Sequence, residues 1–197
     1  MSILSSQLTD KTLMRDHDFE ITNPLNEFDK TMRSGLLSGL LGYAAENSKK
    51  FDRFSLFDLS KVYLPSREEG IPSYEQRRLG ILIYGEKQDE GLFILKKHIE
   101  NFAAKFGLTI GFENSTGKEF VHPGRRADIV FNGEKIGKLF EVHPIVLENL
   151  GLKNRVWVSD MALDGVVSAA QDIDLKFSET ESEVIFKEYS RFEVSKR

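Results

Sequence analysis

Between Met32 and Asn47 the apolar residues fall at Met32, Leu36, Leu37, Leu40, Leu41, Ala44 and Ala45, a three-and-four spacing that places them on one helical face. The spacing predicts a helix over 32–47, with Lys49 and Lys50 in or just beyond its last turn, where cations suit the carbonyl end of the dipole. Gly35, Gly39 and Gly42 weaken it by about 1 kcal/mol each relative to alanine, and they let another backbone approach. The pattern leaves open whether that neighbour is the core or a partner. A second stripe, Leu92, Leu95, Ile99, Phe102, Ala103 and Phe106, predicts a helix over 91–106, with Gly107 placed for a left-handed cap. Strand patterns run between the stripes. Alternation over Phe54–Leu64 sets Phe54, Leu56, Asp58, Ser60 and Val62 against Ser55, Phe57, Leu59, Lys61 and Tyr63, one face apolar until Lys61 and the other mixed. That predicts a half-buried strand ended by Pro65. Ser66–Gln76 reads as a solvated loop, and Leu79–Tyr84, Leu108–Phe112 and Val156–Leu163 read as further strands. Ala127–Phe131 and Glu134–Val142 form a hairpin, because Asn132-Gly133 supplies the two positive-φ positions of a tight primed turn.

Shorter elements fill the gaps. Pro144 suits the first turn of a helix over Ile145–Leu150 that Gly151 closes, and Asp164–Ala170 is a short helix or turn. Ser6 to Asp10 could cap a helix over Leu8–Arg15, Phe19–Ile21 is a brief extended piece, and Asn23-Pro24 ends it. Asp172–Arg197 is rich in Ser, Glu and Lys, and reads as an edge strand or a loose tail. About six strands and three or four helices with hairpin-length connections favour an α+β fold, a largely antiparallel sheet flanked by helices.

Composition narrows the function classes. A chain of 197 residues, 40% hydrophobic, can bury one sizeable core, so one domain is expected, two at most. Lys and Arg number 27 against 31 Asp and Glu, a net charge of −4, which removes the broad positive field of non-specific nucleic-acid binding. Any RNA contact is local. Without cysteine there is no disulfide framework, thiolate metal site or cysteine nucleophile, in keeping with a reducing compartment. Met1–Asp18 lacks the pattern of a signal peptide, and no apolar run approaches the roughly 18 residues of a membrane helix, so a soluble, cytoplasmic protein without membrane contact is expected.

Candidate chemistry clusters around the hairpin. His122 and His143 lie beside prolines at strand ends, with Asp128 and Glu141 between them. These four make a histidine–carboxylate metal set conceivable, but their spacing is no known ligand pattern, and a histidine before proline more often ends a strand with its ring bonded to backbone. Acid–base work by Asp128 with Glu141 competes with plain solvent exposure. Arg125 and Arg126 after Gly124 could meet a phosphate or carboxylate through a bidentate fork, with Lys118, Lys135 and Lys138 nearby, but interleaved acids make surface ion pairs the simpler account. No Gly-x-x-x-x-Gly-Lys loop, dinucleotide fingerprint or Gly-x-Ser-x-Gly elbow occurs. No catalytic residue and no metal ligand is assigned from the residues alone.

Three stretches carry a family resemblance. Ile21-Thr22-Asn23-Pro24-Leu25-Asn26 followed by Met32-Arg33-Ser34-Gly35-Leu36-Leu37-Ser38-Gly39-Leu40-Leu41, then Leu56-Phe57-Asp58-Leu59-Ser60-Lys61-Val62-Tyr63, then His122-Pro123-Gly124-Arg125-Arg126-Ala127-Asp128-Ile129 with Gly133, Ile136-Gly137 and Glu141-Val142-His143-Pro144, stand in the order and spacing of the phenylalanyl-tRNA synthetase β subunit. The chain resembles that family's synthetase-like core over residues 1–170. The tail, 171–197, resembles the lead-in to the family's anticodon-binding domain, and the expectation from the resemblance is a core without that domain or the editing domain.

The resemblance implies a class II aminoacyl-tRNA synthetase-like fold that does no aminoacylation itself. It implies an α subunit that holds the active site, with the β core packed against it, tRNA in the full assembly, and ATP and magnesium for the whole enzyme but no cofactor in this chain. A working class II site grips ATP with an arginine on its central strand pair and another in a glycine-rich segment. Phe57–Leu64 offers Asp58 and Lys61 instead, and nothing between Gly151 and Gly165 matches. Lysine is a point charge and does not reproduce the guanidinium fork. Arg33, Arg125 and Arg126 are the candidates for RNA or partner contacts. The alternative implied function is a free-standing, degenerate synthetase relative that senses an amino acid or adenylate in the cleft of the sheet.

Overall fold

The computed structural model describes residues 32–66, 73–85, 90–115 and 121–171, together with 19 and 22–23. Six strands form one sheet: β1 (Phe54–Pro65), β2 (Ser73–Tyr84), β3 (Gly111–Asn114), β4 (Val121–Phe131), β5 (Glu134–Val142) and β6 (Val156–Ala162). Their order is β1-β2-β6-β5-β4-β3, and every neighbouring pair is antiparallel. Among the described residues four helices flank it: α1 (Leu37–Asn47), α2 (Glu90–Ala104), α3 (Pro144–Asn149) and α4 (Asp164–Gln171). This is the α+β architecture the pattern predicts. The short helix expected over Leu8–Arg15, the extended piece at Glu20–Ile21 and the tail beyond Gln171 lie outside the described residues.

Period-two alternation sends each strand's side chains to two cores. On one face Leu36, Leu40, Leu41 and Ala44 from the α1 side pack with Val62, Leu82, Tyr84, Phe140, Val142, Val156 and Val158, and α3 adds Val146 and Leu147. On the other, Leu95, Ile99 and Ala103 of α2 and Val166 of α4 pack with Ile83, Ile129, Leu139, Trp157 and Met161. The apolar stripe of α1 enters the chain's own core, and a Cβ on Gly39 would meet nothing within 4 Å among the described residues. The close approach comes from the strand side, where Gly80 of β2 lies under Leu36 and Leu40, and a Cβ there would sit 2.7 Å from Leu40 Cδ1.

Several boundaries differ from expectation, each for a tertiary reason. The helix begins at Leu37 rather than Met32, because Met32 gives its N–H to the Phe19 carbonyl and the Arg33 carbonyl accepts from Tyr63 of β1 at 2.9 Å. Ser73–Gln76, read as loop, is the start of β2, paired with Val62–Pro65. β4 starts at Val121 instead of Ala127; its register with β5 breaks between Val121 and Arg126, a bulged stretch that accommodates Pro123. The hairpin turn is as predicted, with positive φ at Asn132 (50°) and Gly133 (79°).

The face of β1 that is buried is the mixed one. Phe54, Leu56, Asp58, Ser60 and Val62 share the α1 side with Leu82 and Gly80, while Phe57 and Leu59 are 77% and 61% exposed. β1 is an edge strand that α2 does not cover.

Candidate functional site

Two clusters of charged side chains stand out, at different ends of the sheet. The first lies on the α1 face where β1, β2 and β6 meet. Pairing brings Asp58 opposite Gly80, Ser60 opposite Arg78, and Arg78 in turn beside β6 near Asp160. Arg78 Nε donates to Asp160 Oδ1 at 2.6 Å, its Nη1 to Gln76 Oε1 at 2.7 Å and its Nη2 to the Asp160 carbonyl at 3.3 Å. Both side chains of the pair are nearly buried, at 12% and 13% exposure. Nearby, the Ser60 hydroxyl donates to Asp58 Oδ1, and Arg33 Nη1 stands 3.6 Å from Asp58 Oδ2. The buried guanidinium has a carboxylate, an amide oxygen and a carbonyl on its three nitrogens, so its fork is already filled from within the chain. Sequence reasoning missed Arg78 and Asp160: they lie 82 positions apart, and only the β2–β6 pairing joins them.

The second cluster stands at the far end of β4, β5 and β6. Glu141, 2% exposed, accepts from Arg125 Nη1 at 3.0 Å and lies 3.6 Å from Arg155 Nε. His122 Nδ1 accepts from the Gly124 N–H at 3.2 Å, and its Nε2 is 3.3 Å from Arg125 Nη1. These residues edge a cleft of about 450 Å³ completed by Pro144, Leu147, Leu152, Lys153 and Asn154. Arg155 was not singled out by the sequence; its Nη1 is buried and has no hydrogen-bond partner among the described residues.

The structure separates the sequence-predicted site residues. Arg33 meets β1 at one edge of the sheet, whereas Arg125 and Arg126 lie on β4 beyond β2, β6 and β5. Adjacent in sequence, Arg125 and Arg126 still part company: Arg125 joins Glu141, and Arg126, paired with Phe140, donates from Nε to the Ser115 carbonyl at 2.7 Å. The four conceivable metal ligands are likewise distributed. Asp128 bonds to Lys135 and Ser115, Glu141 holds arginines, and His143 caps α3 by accepting the Ile145 N–H on Nδ1 at 3.3 Å. Among the described residues no group of three His, Asp or Glu side chains is placed to hold a metal ion.

Asp128 gives a pH handle. Burial alone would raise its pKa, but hydrogen bonds from Lys135 and the Ser115 hydroxyl, with the charges of Lys135 and Lys138, outweigh that and hold it below the ordinary carboxylate value. A carboxyl depressed in the folded state stabilises fully above its unfolded pKa, about 3.9, and the contribution disappears as pH falls through the lower folded value. Thermal melts from pH 5 to pH 2 are expected to show a shallower acid loss in D128N than in the parent chain. Parallel curves would remove Asp128 from the acid response.

Comparison with known proteins adds the lineage. The family described as phenylalanyl tRNA synthetase beta chain CLM domain matches residues 1–163. Phenylalanine–tRNA ligase beta subunits of Syntrophus aciditrophicus, Clostridium acetobutylicum and Aquifex aeolicus are 32%, 32% and 31% identical, covering 90%, 83% and 77% of this chain. The chain spans only about a fifth of those relatives, 22%, 21% and 19% of their lengths. Two structures of pyrrolysyl-tRNA synthetase from Desulfitobacterium hafniense superpose with TM-scores of 0.60 and 0.61 at 14% and 15% identity, covering 78% and 82% of this chain and 53% and 58% of theirs. The six-stranded antiparallel sheet and its helices are therefore a class II synthetase-like fold.

Proposed function

Because the chain belongs to the phenylalanyl-tRNA synthetase β-chain family, as its CLM domain, we propose that it is a non-catalytic scaffold that packs on an α subunit in the attachment of phenylalanine to its tRNA. On this reading ATP and magnesium are handled by the α subunit, tRNA is met only in the full assembly, and the work is done in the cytoplasm. The observation that carries the non-catalytic role is the state of Arg78. The guanidinium on the sheet face under α1 is spent on Asp160 and Gln76, and the adjoining space over Gly80 is filled by Leu36 and Leu40. A triphosphate there would have to displace a nearly buried ion pair, and breaking such a pair costs about 3–5 kcal/mol. Asp58, the acid on the same face, is tied to Ser60 and faces Arg33. These residues do not fit a magnesium–nucleotide complex.

Co-expression with an α subunit tests the reading. The expected result is a complex that survives purification and a chain that, alone, gives no phenylalanine-dependent ATP–pyrophosphate exchange. Exchange by the purified chain would end the non-catalytic assignment, and failure to co-purify would end the assignment to the α subunit.

A further inference from the structure

The outer edge of β1 is built to pair with another strand. Tyr63 gives its N–H outward to the Arg33 carbonyl at 2.9 Å, and the β1–β2 register runs without a shift from Phe54 to Pro65. In an antiparallel ladder the outward-pointing residues alternate, so Ser55, Phe57, Leu59 and Lys61 also direct N–H and C=O away from β2. Among the described residues nothing pairs with that edge between Ser55 and Lys61. The side chains there are the most exposed apolar ones in the sheet, Phe57 at 77% and Leu59 at 61%. Edge strands are ordinarily blunted by charge, bulges or proline. Here the one charged side chain that β1 itself sends to that face between Ser55 and Tyr63 is Lys61, held to one side by Glu75 of β2.

We propose that the β1 edge pairs antiparallel with the same edge of a second copy of this chain, centred on Leu59, so that two six-stranded sheets join into one. A two-fold axis through Leu59 places Leu59 against Leu59 and Phe57 against Lys61. These three outward residues then exchange six main-chain hydrogen bonds. Pairing stops at Tyr63, whose N–H is taken by Arg33, and the residue facing it would be the small Ser55. Neighbouring registers are worse. Centring on Asp58 sets two carboxylates opposite each other, which is destabilising. Centring on Phe57 sets Asp58 against Leu56, whereas centring on Leu59 gives Asp58 the partner's Ser60 hydroxyl. It also sets the partner's Phe57 ring against the aliphatic stem of Lys61, whose ammonium stays with Glu75. The occupant is a second copy because the strip is complementary to itself: no like charges face each other, and the outward main-chain groups of Phe57, Leu59 and Lys61 all find their counterparts. Three paired residues a side are far fewer than the roughly 20–30 of a stable interface, so the dimer is weak, with a Kd on the order of 100 μM.

The contact is independent of the α-subunit reading and is tested on the full 197-residue chain without it. Sedimentation across a concentration series is expected to show the average mass rising towards dimer, and Leu59→Lys, which opposes two ammonium groups at the axis, is expected to abolish the rise while leaving the thermal melt in place. The chain has no cysteine, so a single Leu59→Cys gives a clean geometric readout. Directly opposed Cα atoms about 5.5 Å apart lie within disulfide range, and mild oxidation should link Leu59→Cys far faster than Phe57→Cys or Phe93→Cys. A chain that stays monomeric to millimolar concentration, a dimer indifferent to Leu59→Lys, or equal linking of the three cysteine variants would each overturn the proposal. A monomer whose α-subunit complex is lost on Leu59→Lys would overturn it too, by giving the edge to the α subunit.

Discussion

Glu141→Ala is expected to destabilise the fold by about 3–5 kcal/mol, the cost of breaking a buried ion cluster by removing one partner, and to lower Tm by roughly 10 °C for a chain of this size. The carboxylate is 2% exposed and sits between Arg125 and Arg155, which are 29% and 38% exposed. Removing it takes the shared carboxylate from two guanidinium groups, at a position whose cross-strand partner is the fully buried Trp157. The asymmetry of burial ranks the variants. Glu141→Gln keeps an acceptor for Arg125 and should lose less; Arg125→Ala leaves Arg155 as counter-ion and should lose less again. Replacing Glu141 and Arg125 together by leucine should recover part of the loss, because the charge left unpaired in the single variant is what costs most. Urea unfolding of the four variants measures the order. If Glu141→Ala lost under about 1 kcal/mol, in the range of exposed pairs, the cluster would be ornamental to stability, and its burial would call for a ligand-binding account.

Much of the architecture was legible because the residues that build it are apolar and periodic. α1, α2 and β6 are fixed by stripes and alternations that solvent exclusion imposes, and the Asn132-Gly133 turn by a backbone requirement few other residue pairs meet. What was not legible follows from the same physics. Ser73–Gln76 are polar, so nothing in their pattern distinguishes a solvated loop from the solvated end of a strand; pairing with Val62–Pro65 decides it. Met32–Leu36 share the helical stripe but are diverted by bonds to Phe19 and Tyr63. In β1 the apolar face was the natural candidate for burial, yet the face with Asp58 and Ser60 turns inward, because Arg33 and the Ser60 hydroxyl satisfy the carboxylate there. The candidate site shows the sharpest limit. Arg125 and Arg126 were visible as a basic pair, but their separation by the strand pleat was hidden by the register break near Pro123. Arg78 and Asp160, which decide the state of the sheet face, carry no local signal at all.

On the opposite face of the sheet, the one α2 packs against, a single added methyl group should also do heavy damage. Gly137 on β5 pairs with Met161 on β6, and a Cβ there would fall 2.4 Å from the Asp160 carbonyl oxygen and 2.6 Å from Met161 Cα. Both are backbone atoms of the adjoining strand, so no rotamer change relieves the overlap. Gly137→Ala is expected to cost about 3 kcal/mol or more, at the upper end for overpacking. Gly80→Ala makes an instructive contrast: its Cβ would meet the Leu40 Cδ1 at 2.7 Å, the far end of a side chain that can turn away, and about 1–2 kcal/mol is expected. The difference reaches the functional reading, because the carbonyl that Gly137→Ala would push is the one that accepts from Arg78 Nη2 at 3.3 Å. Displacing it loosens the Arg78–Asp160 pair, so the variant's amide exchange should quicken along β2 and β6 near Arg78 as well as along β5. Equal losses in the two alanine variants, or exchange confined to β5, would show that the β6 backbone yields as readily as a leucine side chain and that Arg78 is not held by it.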